Sequence, residues 1–339
     1  MFGIIPKGLS LFGISCLHLN ETALLFVKKG ECALEEQLRS ETKNMVDIFI
    51  GLMIVRIYEY FIGEFEYPTL SFISYLAGII FMVLFNRKHC WALSDFGILG
   101  VINSTWWEVI MPALIWVGSF LLIIVPEFLL CTFGGMGTEP YFDFVCFNQH
   151  INLILSRADN VILLAWTLIG ALICTLRALF FEVYFRGLCF GVLRKKTSFY
   201  VCNTVQSLFF ALWFMVLPAK SFMNSEKRGE TALLMLLFFI AQFLFAFRQG
   251  YVRLVCGTVW PCVLTTFIYN MITFNLILTG IGGEEYSGYA DYIRWIVVNL
   301  IALLATLLYC KKMKKKFPPP APIAEPETEL ESLKDVRSK

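Results

Sequence analysis

Six ionisable side chains interrupt the long apolar runs of this chain: Arg56, Glu59, Glu127, Arg177, Glu182 and Arg186. A charge at bilayer depth is costly, so it turns toward a bundle interior where a partner neutralises it. Arg56 and Glu59 stand three apart and share a helix face. Both fall toward one end of their run, which predicts that they snorkel to the headgroups. Glu127 falls near the outer boundary and is expected at the interface. Glu182 and Arg186 stand four apart, a spacing that sets carboxylate and guanidinium on one helix face. A pair of this kind offsets part of the cost of burial and is structural by default. A buried carboxylate is also the residue type that activates water as a general base.

Few other side chains offer chemistry. Of 11 cysteines, most sit in apolar runs (Cys174, Cys189, Cys202, Cys256, Cys262 and Cys310) and read as small buried hydrophobes. Cys131 and Cys146 fall in or beside one long loop, where a disulfide would form on an oxidising side. His18, His89 and His150 are the only histidines, and none lies deep in an apolar run. No grouping of His, Cys, Asp and Glu has the spacing of a metal site, so neither a metal nor another cofactor is expected.

The elements that position these groups follow from hydropathy. The chain of 339 residues is 58% apolar and only 16% charged, against about one quarter charged in soluble domains. Its mean hydropathy is +0.69. A crossing needs roughly 20 mostly apolar residues. Candidate spans are 45–63, 69–85, 107–130, 160–193, 198–217, 231–247, 255–279 and 293–310. The span 160–193 is too long for one straight crossing and is expected to tilt, break or run along the interface, with Gly170 and Gly187 as weak points. Residues 1–44 read as a cytoplasmic or interfacial segment, with no clear signal peptide.

Charge orients the bundle. With the N-terminus in the cytoplasm, twenty Lys and Arg fall in the inner segments 1–44, 86–106, 194–197, 248–254 and 311–339; five fall outside. The expectation is an all-α, polytopic membrane helix bundle of about eight transmembrane helices with both termini cytoplasmic. The bias fits a bacterial plasma membrane and an endoplasmic-reticulum-type membrane equally. The tail opens with a basic cluster, Lys311 to Lys316, suited to anionic headgroups, and continues into the proline-rich run Pro318 to Pro322. Residues 311–339 read as a disordered cytoplasmic tail.

Three motifs resemble the type II CAAX prenyl protease family, also called the Abi or bacteriocin-processing (CPBP) family of intramembrane peptidases. The family's first motif has two glutamates, three variable residues, Arg and often Gly. This chain has Phe181, Glu182, Arg186 and Gly187 at those places. The second is Phe, three residues, His; here Phe210 is followed by Phe214. The third is His, three residues, Asn, after a Trp-Pro-like turn; here Trp260 and Pro261 precede Thr266 and Asn270. The likeness runs over roughly 160–279 and includes Gln249 to Leu254, which look like the family's inter-helix turn.

The resemblance implies an eight-helix bundle and a glutamate-dependent peptidase, in which a carboxylate helped by His activates water while the other His and the Asn stabilise the oxyanion. Carried over, the catalytic positions are Glu182, Arg186 and Asn270, and the altered positions are Phe181, Phe214 and Thr266. Phenylalanine can neither accept a proton nor polarise water, and a threonine hydroxyl donates one hydrogen bond without acting as a base near neutral pH. Arg186 would favour the charged form of Glu182 and weaken it as a base. The expectation is a degenerate pseudo-peptidase that meets membrane lipids and binds a membrane peptide or lipidated protein partner. An active endopeptidase for prenylated CAAX or small peptides is the alternative, and a membrane transporter the third. Nucleic acid is not an expected partner.

Overall fold

The computed structural model describes residues 35–59, 72–89, 96–98, 106–133, 142–146, 149–150, 157–278 and 289–316. Eight helical stretches occur among them, one at each expected span. Helix α1 covers 35–59. It is followed by α2 (Phe72–His89), α3 (Trp106–Phe133) and α4 (Arg157–Phe181). A π-helical segment, Glu182–Cys189, joins α4 to α5 (Phe190–Arg194). Then come α6 (Phe199–Asn224), α7 (Arg228–Cys256), α8 (Trp260–Asn275) and α9 (Tyr289–Lys316).

Three short strands accompany the helices: β1 (Phe142–Cys146), β2 (Gln149–His150) and β3 (Leu276–Leu278). They form an antiparallel sheet in the order β2-β1-β3, with Phe142 opposite Leu278 and Val145 opposite His150. A few residues of this kind, between long helical signals, carry no periodicity of their own. The side chains of Cys131 and Cys146, and so the disulfide expected between them, lie outside the described residues.

Trp106–Leu130, Arg228–Cys256 and Asp291–Met313 are long and apolar enough to cross a membrane by length and composition. These helices and their neighbours share one inside-out distribution. Ile54, Leu122, Leu172, Leu304 and Leu308 face outward, while Glu182, Arg186, Gln206 and Arg248 are fully buried. Burying charge and exposing leucine is unfavourable in water and favourable in hydrocarbon. This is an integral membrane protein. Polar side chains join its helices across the interior. Trp116 Nε1 donates to Asn299 Oδ1 at 3.2 Å, and Gln242 Nε2 to the Tyr269 hydroxyl at 2.8 Å.

Several expectations are corrected. Arg56 and Glu59 do not snorkel; they are 3% and 4% exposed and paired at 3.4 Å. Glu59 Oε1 also accepts the Ser74 backbone N–H at 2.6 Å, which caps α2 and explains why the carboxylate turns inward. Arg248 is not a cytoplasmic loop residue. It sits inside α7, donating from Nε to Thr306 Oγ1 at 2.8 Å and from Nη2 to the Pro112 carbonyl. Gln249 to Leu254 are helical; the turn comes later, at Gly257, whose φ of 69° ends α7 in the left-handed conformation. The basic cluster Lys311–Lys316 is helical, the last turns of α9, whereas 317–339 lie outside the described residues. One ion pair was not anticipated: Glu127 and Arg294 make a two-pronged contact at 2.6 and 2.9 Å that ties α3 to α9.

Helices α2 and α4 touch through Gly78, where a Cβ would overlap the ring of the buried Phe180. Alanine in a helix ordinarily stabilises it relative to glycine. Here Gly78→Ala should instead lower the unfolding free energy by about 1–3 kcal/mol through overpacking. Thermal denaturation in detergent measures this, and adding Phe180→Leu should recover part of the loss.

Candidate functional site

The centre is built around the π-helical turns. The Phe190 N–H reaches the Phe185 carbonyl, five residues back, as well as that of Gly187. Returning from π to α spacing leaves one carbonyl without a partner in its own helix, that of Arg186. Arg253 Nε, from α7, donates to it at 3.3 Å. The long span 160–193 therefore changes pitch rather than breaking, and the expected weak point Gly187 lies inside the changed turn. Gly187 also admits a close neighbour, since a Cβ there would stand 3.0 Å from the Phe96 carbonyl.

Glu182 and Arg186 lie on this segment and are fully buried. Arg186 Nε stands 3.3 Å from Glu182 Oε2, an ion contact without the alignment of a hydrogen bond. The other oxygen, Oε1, accepts from Thr266 Oγ1 at 2.6 Å. Thr266 comes from α8, so this bond joins two helices through the position where the resemblance places histidine. Arg186 Nη2 donates to the Ala246 carbonyl at 3.2 Å, and its guanidinium lies 4.5 Å above the centre of the Phe210 ring.

Asn270 stands one turn beyond Thr266 on the same face of α8. It is 1% exposed, and neither its amide oxygen nor its amide nitrogen has a hydrogen-bond partner among the described residues. The hydrogen bond from α8 to the π-helical segment is made by Thr266 and not by Asn270.

The altered positions form a closed aromatic cluster. Phe181 and Phe214 have ring centres 5.2 Å apart, and Phe210 lies 5.5 Å from the first and 4.9 Å from the second. Arg177 covers both outer rings, its guanidinium carbon 5.4 Å from Phe181 and 5.2 Å from Phe214. The structure thus brings Phe181, Phe214, Glu182, Arg186, Thr266 and Asn270 into one region, aromatic on one side and polar on the other.

One polar layer was not singled out from the sequence. On α6, Gln206 Nε2 bonds Asn203 Oδ1 at 2.8 Å, Ser207 Oγ at 2.9 Å and the Ala246 carbonyl at 3.4 Å. Gln206 and Arg186 therefore share one backbone acceptor. The signal was present: Asn203, Gln206 and Ser207 share a face in an otherwise apolar span.

Residues 163–272 match the family described as type II CAAX prenyl endopeptidase Rce1-like, which supports the resemblance read from the motifs. The match spans the whole polar centre and leaves α1, α2, α3 and α9 outside it. No curated protein matches the chain. Thr266→Val removes the hydroxyl at nearly constant volume and leaves Glu182 Oε1 unpaired; it should cost about 1–3 kcal/mol of stability. Arg186→Met should cost about 3–5 kcal/mol by stranding the carboxylate, and the double change with Glu182→Met should cost less than Arg186→Met alone. Denaturation of the purified variants checks both the order and the non-additivity.

Proposed function

We propose that this CAAX-protease-like membrane protein is a pseudo-peptidase, with eight crossings and both termini cytoplasmic. It keeps the peptidase fold and binds a membrane peptide or a lipidated protein segment without cutting it. The observation that carries the reading is the state of Glu182. One carboxylate oxygen accepts the Thr266 hydroxyl and the other faces Arg186. A general base must offer a lone pair to a water that a second group helps to orient. Here the first glutamate and the second-motif histidine of the family pattern are Phe181 and Phe214, packed against each other.

The partner's chemistry is supported by Asn270. Its buried amide offers two donors and an acceptor, none of them used within the described protein. A peptide unit presents the complementary C=O and N–H, so a peptide backbone suits this position.

Purified wild type and Glu182→Ala, both monodisperse in detergent, are incubated with quenched-fluorescent prenylated CAAX peptides and unprenylated controls. Neither protein should release fluorescence above the peptide's own background. Cleavage by the wild type that is lost in Glu182→Ala would overturn the reading and establish an intramembrane glutamate endopeptidase.

A further inference from the structure

Away from the polar centre, α1 and α2 run antiparallel and are fastened at both ends. At one end Glu59 meets Ser74. At the other, Asn44 Nδ2 lies 2.7 Å from His89 Nε2, and Lys88 Nζ donates to Asn44 Oδ1 at 3.3 Å. Beside this second fastening the two helices enclose a groove of about 260 Å³. Its floor is apolar: Ile48 from α1, and Phe81, Leu84 and Phe85 from α2. Its rim carries one charge of each sign, Asp47 and Lys88. The floor residues of α2 follow a spacing of three and four, so they form one continuous stripe.

Position and charge together say what the groove takes. Lys43, Arg87 and Lys88 are exposed at this end, where the positive-inside bias places the cytoplasmic headgroup layer. Asp47 is exposed at the same level and has no ion-pair partner among the described residues, although Lys43 stands one turn before it. A groove that met only acyl chains would have no use for either charge. An anionic lipid would satisfy Lys88 and face Asp47 unfavourably.

We propose that this groove is a phosphatidylethanolamine site. The lipid phosphate lies on the Lys88 ammonium, the lipid ammonium donates to the Asp47 carboxylate, and the acyl chains run along the floor. Each competing headgroup fails on one of these contacts. The trimethylated nitrogen of phosphatidylcholine has no N–H to donate. Phosphatidylglycerol brings no cation, and phosphatidylserine turns a second carboxylate toward Asp47. The site is independent of what the centre at Glu182 does.

Native mass spectrometry of the full-length chain in detergent, titrated with dioleoyl phosphatidylethanolamine, phosphatidylcholine, phosphatidylglycerol and phosphatidylserine, tests it. Phosphatidylethanolamine should bind about fivefold more tightly than the other three, the scale of one interfacial ion pair. Asp47→Asn should bring its affinity down to that of phosphatidylcholine. Lys88→Gln should weaken all four phospholipids. Both residues are exposed, so unchanged melting temperatures separate a lost contact from misfolding. A phosphatidylethanolamine carrying a photoreactive acyl chain should label Phe81 to Phe85 in the wild type and less in Asp47→Asn. Equal affinity for phosphatidylethanolamine and phosphatidylcholine in the wild type would overturn the proposal. So would selectivity that survives Asp47→Asn, a tighter anionic lipid, or labelling confined to other helices.

Discussion

The interior of this bundle depends on the neutralisation of one buried carboxylate. Glu182 sits at full burial in a protein whose outward faces are apolar, so no bulk water offsets its charge. Thr266 and Arg186 do that work from α8 and from the π-helical segment itself. The arginine is in turn held by the Ala246 carbonyl of α7 and the Phe210 ring of α6. Four helical elements therefore converge on one charge. Breaking any arm leaves a neighbour unpaired in a low-dielectric interior, where that costs far more than at a surface.

The π-helical turns are part of the same constraint. Their pitch frees the Arg186 carbonyl to accept from Arg253 Nε, and Gly187 lets the Phe96 backbone come close. A regular α-helix through these residues would use that carbonyl internally and give Arg253 no anchor there. Local irregularity and interhelical bonding are thus two descriptions of one arrangement. The aromatic cluster completes it. Phe181, Phe210 and Phe214 pack on one another, and Arg177 lies across Phe181 and Phe214. At the positions where the motif pattern has a glutamate and a histidine, this chain holds packed rings. Glu182 and Arg186 face one another beside that packing, 3.3 Å apart.

Much of the fold was legible in the sequence, because hydropathy and charge act over long stretches. Runs of roughly 20 apolar residues marked each helical stretch. The spacing of four between Glu182 and Arg186 placed them within reach, since a helix repeats every 3.6 residues. The three motifs pointed to the family match over 163–272. Those features depend on composition and local periodicity, which one chain carries by itself.

Contacts between distant segments were decided only by the tertiary structure. Arg56 and Glu59 had a spacing that fitted snorkelling as well as burial, and it was α2, through the Ser74 N–H, that drew the carboxylate inward. Arg248 sat in a stretch that charge counting assigned to a loop, and its partners Pro112 and Thr306 lie more than 50 positions away on either side. The motif comparison set Thr266 in the place of a histidine, but the bond it makes crosses 84 positions of chain. A sequence states which groups need a partner in hydrocarbon; only the packing of helices chooses which partner each one finds.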